Sequence, residues 1–134
     1  MRILSGSIVA AGALAIMTAC GGDSTPTAPS GGSSGGPGPS GATITIGTNG
    51  AVSPSQVTIA VGQSVTFVNN DSRVHDMASN PHPVHTDCPS MNAAGNLSPG
   101  QTKLTNAFTA ARTCGFHDHG NPTDAALQGN IVIQ

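Results

Sequence analysis

From Ala42 to the C-terminus, apolar and polar residues alternate with a period of two rather than 3.6. Ile44 and Ile46 alternate with Thr43 and Thr45, and Val57, Ile59 and Val61 with Thr58 and Ala60. Val65 and Phe67 flank Thr66, with Val68 following. Leu104 and Phe108 lie in a Thr-rich stretch, and Ile131 and Ile133 end the chain. Residues at i and i+2 of a strand share a face, so each run predicts a half-buried strand. Turn chemistry separates them: Asn49-Gly50, Ser53-Pro54, Gly62, Asn69-Asn70-Asp71-Ser72 and Ser98-Pro99-Gly100. No helical period persists for ten residues. Short strands between regular turns predict an all-β sandwich or barrel. The stretch from Asn80 to Leu97 is Pro-containing and irregular, and an irregular segment of that length in a small domain is usually functional.

The N-terminal third differs. Met1-Arg2 precedes an apolar run from Ile8 to Met17. That run suits the hydrophobic region of an export signal and falls short of the about 20 residues that span a bilayer. Met17-Thr18-Ala19-Cys20 resembles the bacterial lipobox, in which the cysteine is lipidated and becomes the mature N-terminus. The expected organisation is a lipoprotein signal peptide at 1–19, a tether at 20–41 and the folded domain at 42–134. The tether is almost wholly Gly, Ser, Pro, Thr and Ala and has no core to bury. The resemblance implies a membrane partner through the lipid on Cys20, and a place in the cell envelope, in the periplasm or at the cell surface. Lipid on Cys20 leaves Cys88 and Cys114, an even pair that predicts a disulfide in an oxidising compartment.

Charge narrows the function. The chain has four Lys or Arg, six acidic residues that are all Asp, and a net charge of −2. Nucleic-acid binding needs clustered cations and is excluded. There is no nucleophile-elbow pattern and no carboxylate pair for acid–base work, so a metal-binding or electron-transfer role is expected rather than catalysis. All five histidines lie in the folded domain: His75, His82, His85, His117 and His119. Imidazole is the commonest nitrogen ligand for copper and zinc. On a strand, His117 and His119 project to one face about 7 Å apart and can converge on one ion. His75, from a separate strand, is the expected third ligand. His82 and His85 sit in a Pro-stiffened loop, with His85 the better placed because Asp87 is available to orient it. Met77 is expected in the core and Met91 in a loop.

The stretch from Pro54 to His75 (PSQVTIAVGQSVTFVNNDSRVH) resembles the first half of a cupredoxin, the plastocyanin and azurin family. The features are a strand–Gly–strand hairpin, then Asn69, Asp71 in a turn, and His75 at the position of the first copper-binding histidine. Gly129 to Ile133 is similar to the family's last strand. The resemblance implies a Greek-key β-sandwich with copper, Cu(II) or Cu(I), held at one end, and a redox or copper-transfer protein as partner. Two registers compete in the second half. In one, Cys114 is the thiolate of a type 1 (blue) site. In the other, Phe108 to Cys114 matches the corner before the last loop, the thiolate position falls on Asp118, and Cys114 remains free to pair with Cys88. The second is favoured; in it Leu127 stands at the family's methionine position. The expected site is then histidine-rich: His75, His117 and His119 with His85, or His82, completing the sphere. Zinc in place of copper, or a superoxide dismutase-type site, are the alternatives that the His-x-His pair leaves open.

Overall fold

The computed structural model describes Gly36 and residues 38–134. The signal peptide, Cys20 and most of the tether lie outside the described residues.

Among the described residues, nine strands follow in order: β1 (Ser40–Ile46), β2 (Val52–Ser53), β3 (Gln56–Ile59), β4 (Ser64–Asn69), β5 (His75–Ser79), β6 (Gly95–Leu97), β7 (Thr102–Leu104), β8 (Arg112–Asp118) and β9 (Gly129–Ile133). Two 3-10 turns interrupt the connections, at Pro89–Ala93 and Ala125–Leu127. One sheet has the order β2-β1-β4-β7 and the other β3-β9-β8-β5-β6. Both are mixed, since β1 runs parallel to β4, and β3 parallel to β9. The period of two left an all-β sandwich or a barrel open, and the architecture is the sandwich.

The alternation works as a burial code. Ile44, Ile46, Val57, Ile59, Val65, Phe67, Ile131 and Ile133 all face the shared core. Each such side chain contributes about 1.5–3 kcal/mol of transfer free energy. Phe67 of one sheet meets Phe116 of the other edge-to-face, with centroids 5.3 Å apart, so two of the three phenylalanines join the layers. β1 begins at Ser40, two residues before the boundary read from composition. The Gly38 amide donates to Ser64 Oγ and the Ala107 amide to the Gly36 carbonyl, which ties the end of the tether to the domain.

Several expectations fail locally. Val61 is 48% exposed, because β3 stops at Ile59 and the chain turns at Gly62 with φ 90°. Leu104 is also exposed at the end of the short edge strand β7, and Phe108 is buried without any strand around it. The loop from Asn80 to Leu97 is partly ordered into a 3-10 turn and β6. That turn buries Met91, which joins Met77 in the core.

Candidate metal centre

The site is built where β5 and β8 pair antiparallel. Met77 lies opposite Asp118, Ala78 opposite His117 and Ser79 opposite Phe116. Cys114, Phe116 and Asp118 therefore share the inner face, and Gly115 and His117 the outer face; His119 lies in the turn just past β8, where its amide donates to the Asp76 carbonyl. Ala78 beside His117 is small, so the loop that follows β5 folds back over this face. The loop carries His82 and His85. Each of His82, His85, His117 and His119 offers one ring nitrogen, and all four nitrogens lie within 4.8 Å of one another. His85 Nε2 is 3.3 Å from His117 Nε2 and 3.1 Å from His119 Nδ1. The His82 ring lies 4.9 Å from that of His119, centroid to centroid, tilted by 54°. His117 is buried, His85 half-buried, and His82 and His119 are exposed, so the cluster opens to solvent on one side.

The loop is held by bonds that sequence reasoning missed. The His85 amide donates to the Pro81 carbonyl and the Asp87 amide to the Asn80 carbonyl. His85 has φ 51°, a left-handed backbone that a residue with a Cβ rarely adopts. Its carbonyl accepts from both Ser79 Oγ and Asn92 Nδ2, each at 2.9 Å, which fixes that conformation. Asp87, expected to orient His85, instead pairs with Arg112 of β8. The group that orients a ring is Asn80, whose Oδ1 lies 2.8 Å from His117 Nδ1. No spacing in the sequence marks Ser79, Asn80 or Asn92 for these roles; only the fold brings them together.

Burial, and then the positive charge that His119 and His82 would carry, hold His85 below the ordinary imidazole range. Burial, then His85, His82 and His119, do the same for His117. Both effects keep the rings neutral, which is the ligating form. A nitrogen–metal bond is about 2.0–2.1 Å, so tetrahedral donors sit about 3.4 Å apart and trans donors about 4.2 Å. The separations of 3.1 and 3.3 Å match the first value, and the 4.8 Å limit exceeds the second by less than an ångström. The donor set fits one nitrogen-loving ion.

His75 does not belong to it. Its ring is buried on the inner face, with Nδ1 2.8 Å from Asp118 Oδ2 and Nε2 2.9 Å from Asp71 Oδ2. Both nitrogens are taken by carboxylates, so the expectation that His75 ligates the ion is corrected. The hydrogen bond with His75 draws the Asp71 pKa down to about 2, helped by Arg73 and the Ser72 amide against the cost of burial. Burial pushes Asp118 up, but bonds from His75, the Asp76 and Gly120 amides and Asn121 leave it below the usual carboxylate range. Cys88 and Cys114 form a disulfide with Cα atoms 5.8 Å apart. Cys114 is therefore no thiolate ligand, and the blue-site register is overturned.

No family model and no curated protein matches the sequence. Solved structures do match. A purple cupredoxin from Nitrosopumilus maritimus superposes with a TM-score of 0.54 at 20% identity, covering 69% of this chain and 99% of its own. Plastocyanin from the fern Dryopteris crassirhizoma gives 0.53 at 17%, with 69% and 99% covered. Auracyanin from Roseiflexus castenholzii gives 0.53 at 19%, with 72% and 99% covered. The fold is that of a cupredoxin. Within it, the inner positions where the resemblance expects a thiolate and a thioether hold Asp118 and Leu127, both buried. The first-histidine position holds a ring closed off by two carboxylates. This cupredoxin fold instead gathers its free imidazoles on the outer face of the five-stranded sheet.

Proposed function

We propose that this protein binds one copper ion through His82, His85, His117 and His119, and that it handles copper in the cell envelope while tethered by lipid on Cys20. The observation that carries the reading is the convergence of four imidazole nitrogens within 4.8 Å. Neutral nitrogen donors suit both copper and zinc; the cupredoxin fold favours copper. Exposure of His82 and His119 favours copper acceptance and delivery by ligand exchange with a partner protein. Electron transfer is the second reading, favoured by the disulfide-anchored loop that fixes the inner half of the cluster.

The test is titration of the purified protein with Cu(II), followed by competition with Zn(II). One equivalent of copper is expected to bind tightly with only a weak visible band. His85→Ala combined with His117→Ala is expected to abolish tight binding. Retained affinity in that variant would sink the site, and an intense thiolate-to-copper band would sink the all-nitrogen donor set. Preference for zinc over copper would overturn the choice of metal.

A further inference from the structure

We propose that Asn80 is the positioning residue of this centre: it fixes His117 in the Nδ1–H tautomer, and Gly115 is a glycine so that Asn80 can reach it. Asn80 follows β5 directly and lies across from Gly115, to whose carbonyl its amide donates at 3.0 Å. Its own carbonyl accepts from the Asp87 amide at 2.9 Å, so the main chain is pinned on both sides. Gly115 precedes His117 by two residues on the same outer face of β8. A Cβ at position 115 would lie 2.3 Å from Asn80 Nδ2, closer than any atom pair tolerates, and would push the amide off the sheet.

The side chain then dictates chemistry. A carbonyl oxygen only accepts, so His117 Nδ1–H donates to Asn80 Oδ1, 2.8 Å away. The lone pair is left on Nε2, the atom that faces His85 Nε2 at 3.3 Å. A reversed amide would offer its NH2 to Nδ1 and turn an Nε2–H into the cluster, where no ion could accept it. A histidine ligand usually donates its far N–H to a carboxylate or carbonyl, which orients the ring and sets its basicity. The acceptor here is neutral, so the ring is oriented without being pushed towards imidazolate. Asn80 thus tunes the site between Cu(I) and Cu(II) as well as shaping it.

The tautomer half of this inference stands without any metal; the ligand half rests on the copper reading. Imidazole nitrogen-15 shifts of the metal-free protein near pH 8 test the first. Wild-type His117 is expected as the Nδ1–H form, Asn80→Ala as a mixture, and Asn80→Asp as Nδ1–H again. An Nε2–H form in the wild type, or no change in Asn80→Ala, would overturn the assignment. Gly115→Ala is expected to lose the tautomer as Asn80→Ala does while keeping the native circular dichroism; a retained Nδ1–H form would overturn the role of Gly115. Copper competition tests the second half. Asn80→Ala is expected to weaken Cu(II) binding by about 10–100-fold, and Asn80→Asp to restore it with a lower Cu(II)/Cu(I) potential. Equal affinities and potentials in all three would overturn the tuning role while leaving the copper site standing. Loss of copper binding from the wild type would instead overturn the copper reading, and the tuning role with it.

Discussion

His75 illustrates what residue type alone leaves open. Its spacing from the His117–His119 pair suits a third ligand, yet Asp71, four residues earlier, and Asp118, across the sheet, each take one of its nitrogens. Removing the imidazole would leave two buried carboxylates facing a void. His75→Ala is expected to cost about 3–5 kcal/mol, the penalty for stripping one partner from a buried charged network. The variant is expected to keep its copper wherever it remains folded. Thermal melts and a copper titration at low temperature check both halves, and lost copper in a folded variant would reinstate His75 as a ligand. The same network sets an acid limit. Folded Asp71 releases its proton at about 2 and the unfolded carboxyl at 3.8, so between those values the unfolded chain binds more protons. The stabilisation is whole above about pH 4 and is lost as pH falls through about 2. Asp118, also lowered, acts with the same sign. Melting temperatures from pH 5 to pH 2 are expected to fall steeply in the wild type and less in Asp71→Asn; parallel curves would show that the pair does not govern acid stability. The His-x-His pair was legible because a strand's period of two needs no tertiary information. The carboxylate partners of His75 were not, because Asp118 reaches it only through pairing 43 residues along the chain.

At the scale of the element, β8 does three things at once. Its inner face gives Phe116 to the core, Cys114 to a disulfide and Asp118 to His75. Its outer face gives Gly115 and His117 to the candidate metal centre, with His119 in the turn that follows, and its start gives Arg112 to Asp87. Cys88 follows the His82–His85 loop, so the disulfide and the Arg112–Asp87 pair fasten that loop to the strand that bears His117 and leads into His119. The exposed ion pair adds little; the covalent bond closes a loop between residues 26 apart and contributes roughly 3–4 kcal/mol in the chain-entropy model. Cys88→Ser with Cys114→Ser is expected to lower stability by about that amount and also to weaken copper binding, because the loop pays more entropy to present its rings. Denaturant melts and copper competition read the two effects separately. Unchanged copper affinity in a destabilised variant would mean that the hydrogen bonds around Asn80 and His85 position the loop unaided. Strand periodicity made this pairing readable, since Cys114 shares a face with Phe116. The 3-10 turn that buries Met91 was hidden, because a single turn has no repeat to detect.

The whole molecule combines a sandwich whose inner end is sealed by His75, Asp71 and Asp118 with a centre displaced to the outer sheet face. Sealing the inner end removes the demand that one set of side chains serve both folding and metal binding. On the copper reading, the core is then expected to fold without the ion, which would act as a ligand of the finished fold. Mass action gives the consequence: a ligand bound only by the native state raises stability with its concentration, by about 4 kcal/mol at a thousand times its dissociation constant. For a domain of this size that corresponds to a melting temperature roughly 15–30 °C higher. The metal-free protein is expected to melt cooperatively, with copper raising the midpoint and a chelator returning it to the starting value. In His85→Ala with His117→Ala the metal-free midpoint is expected to stay within a few degrees of wild type, and the copper-induced rise to vanish. A metal-free chain that fails to fold would place the ion inside the folding transition, as in a zinc finger. It would show that the buried carboxylate–histidine network does not replace what a metal supplies at the inner end.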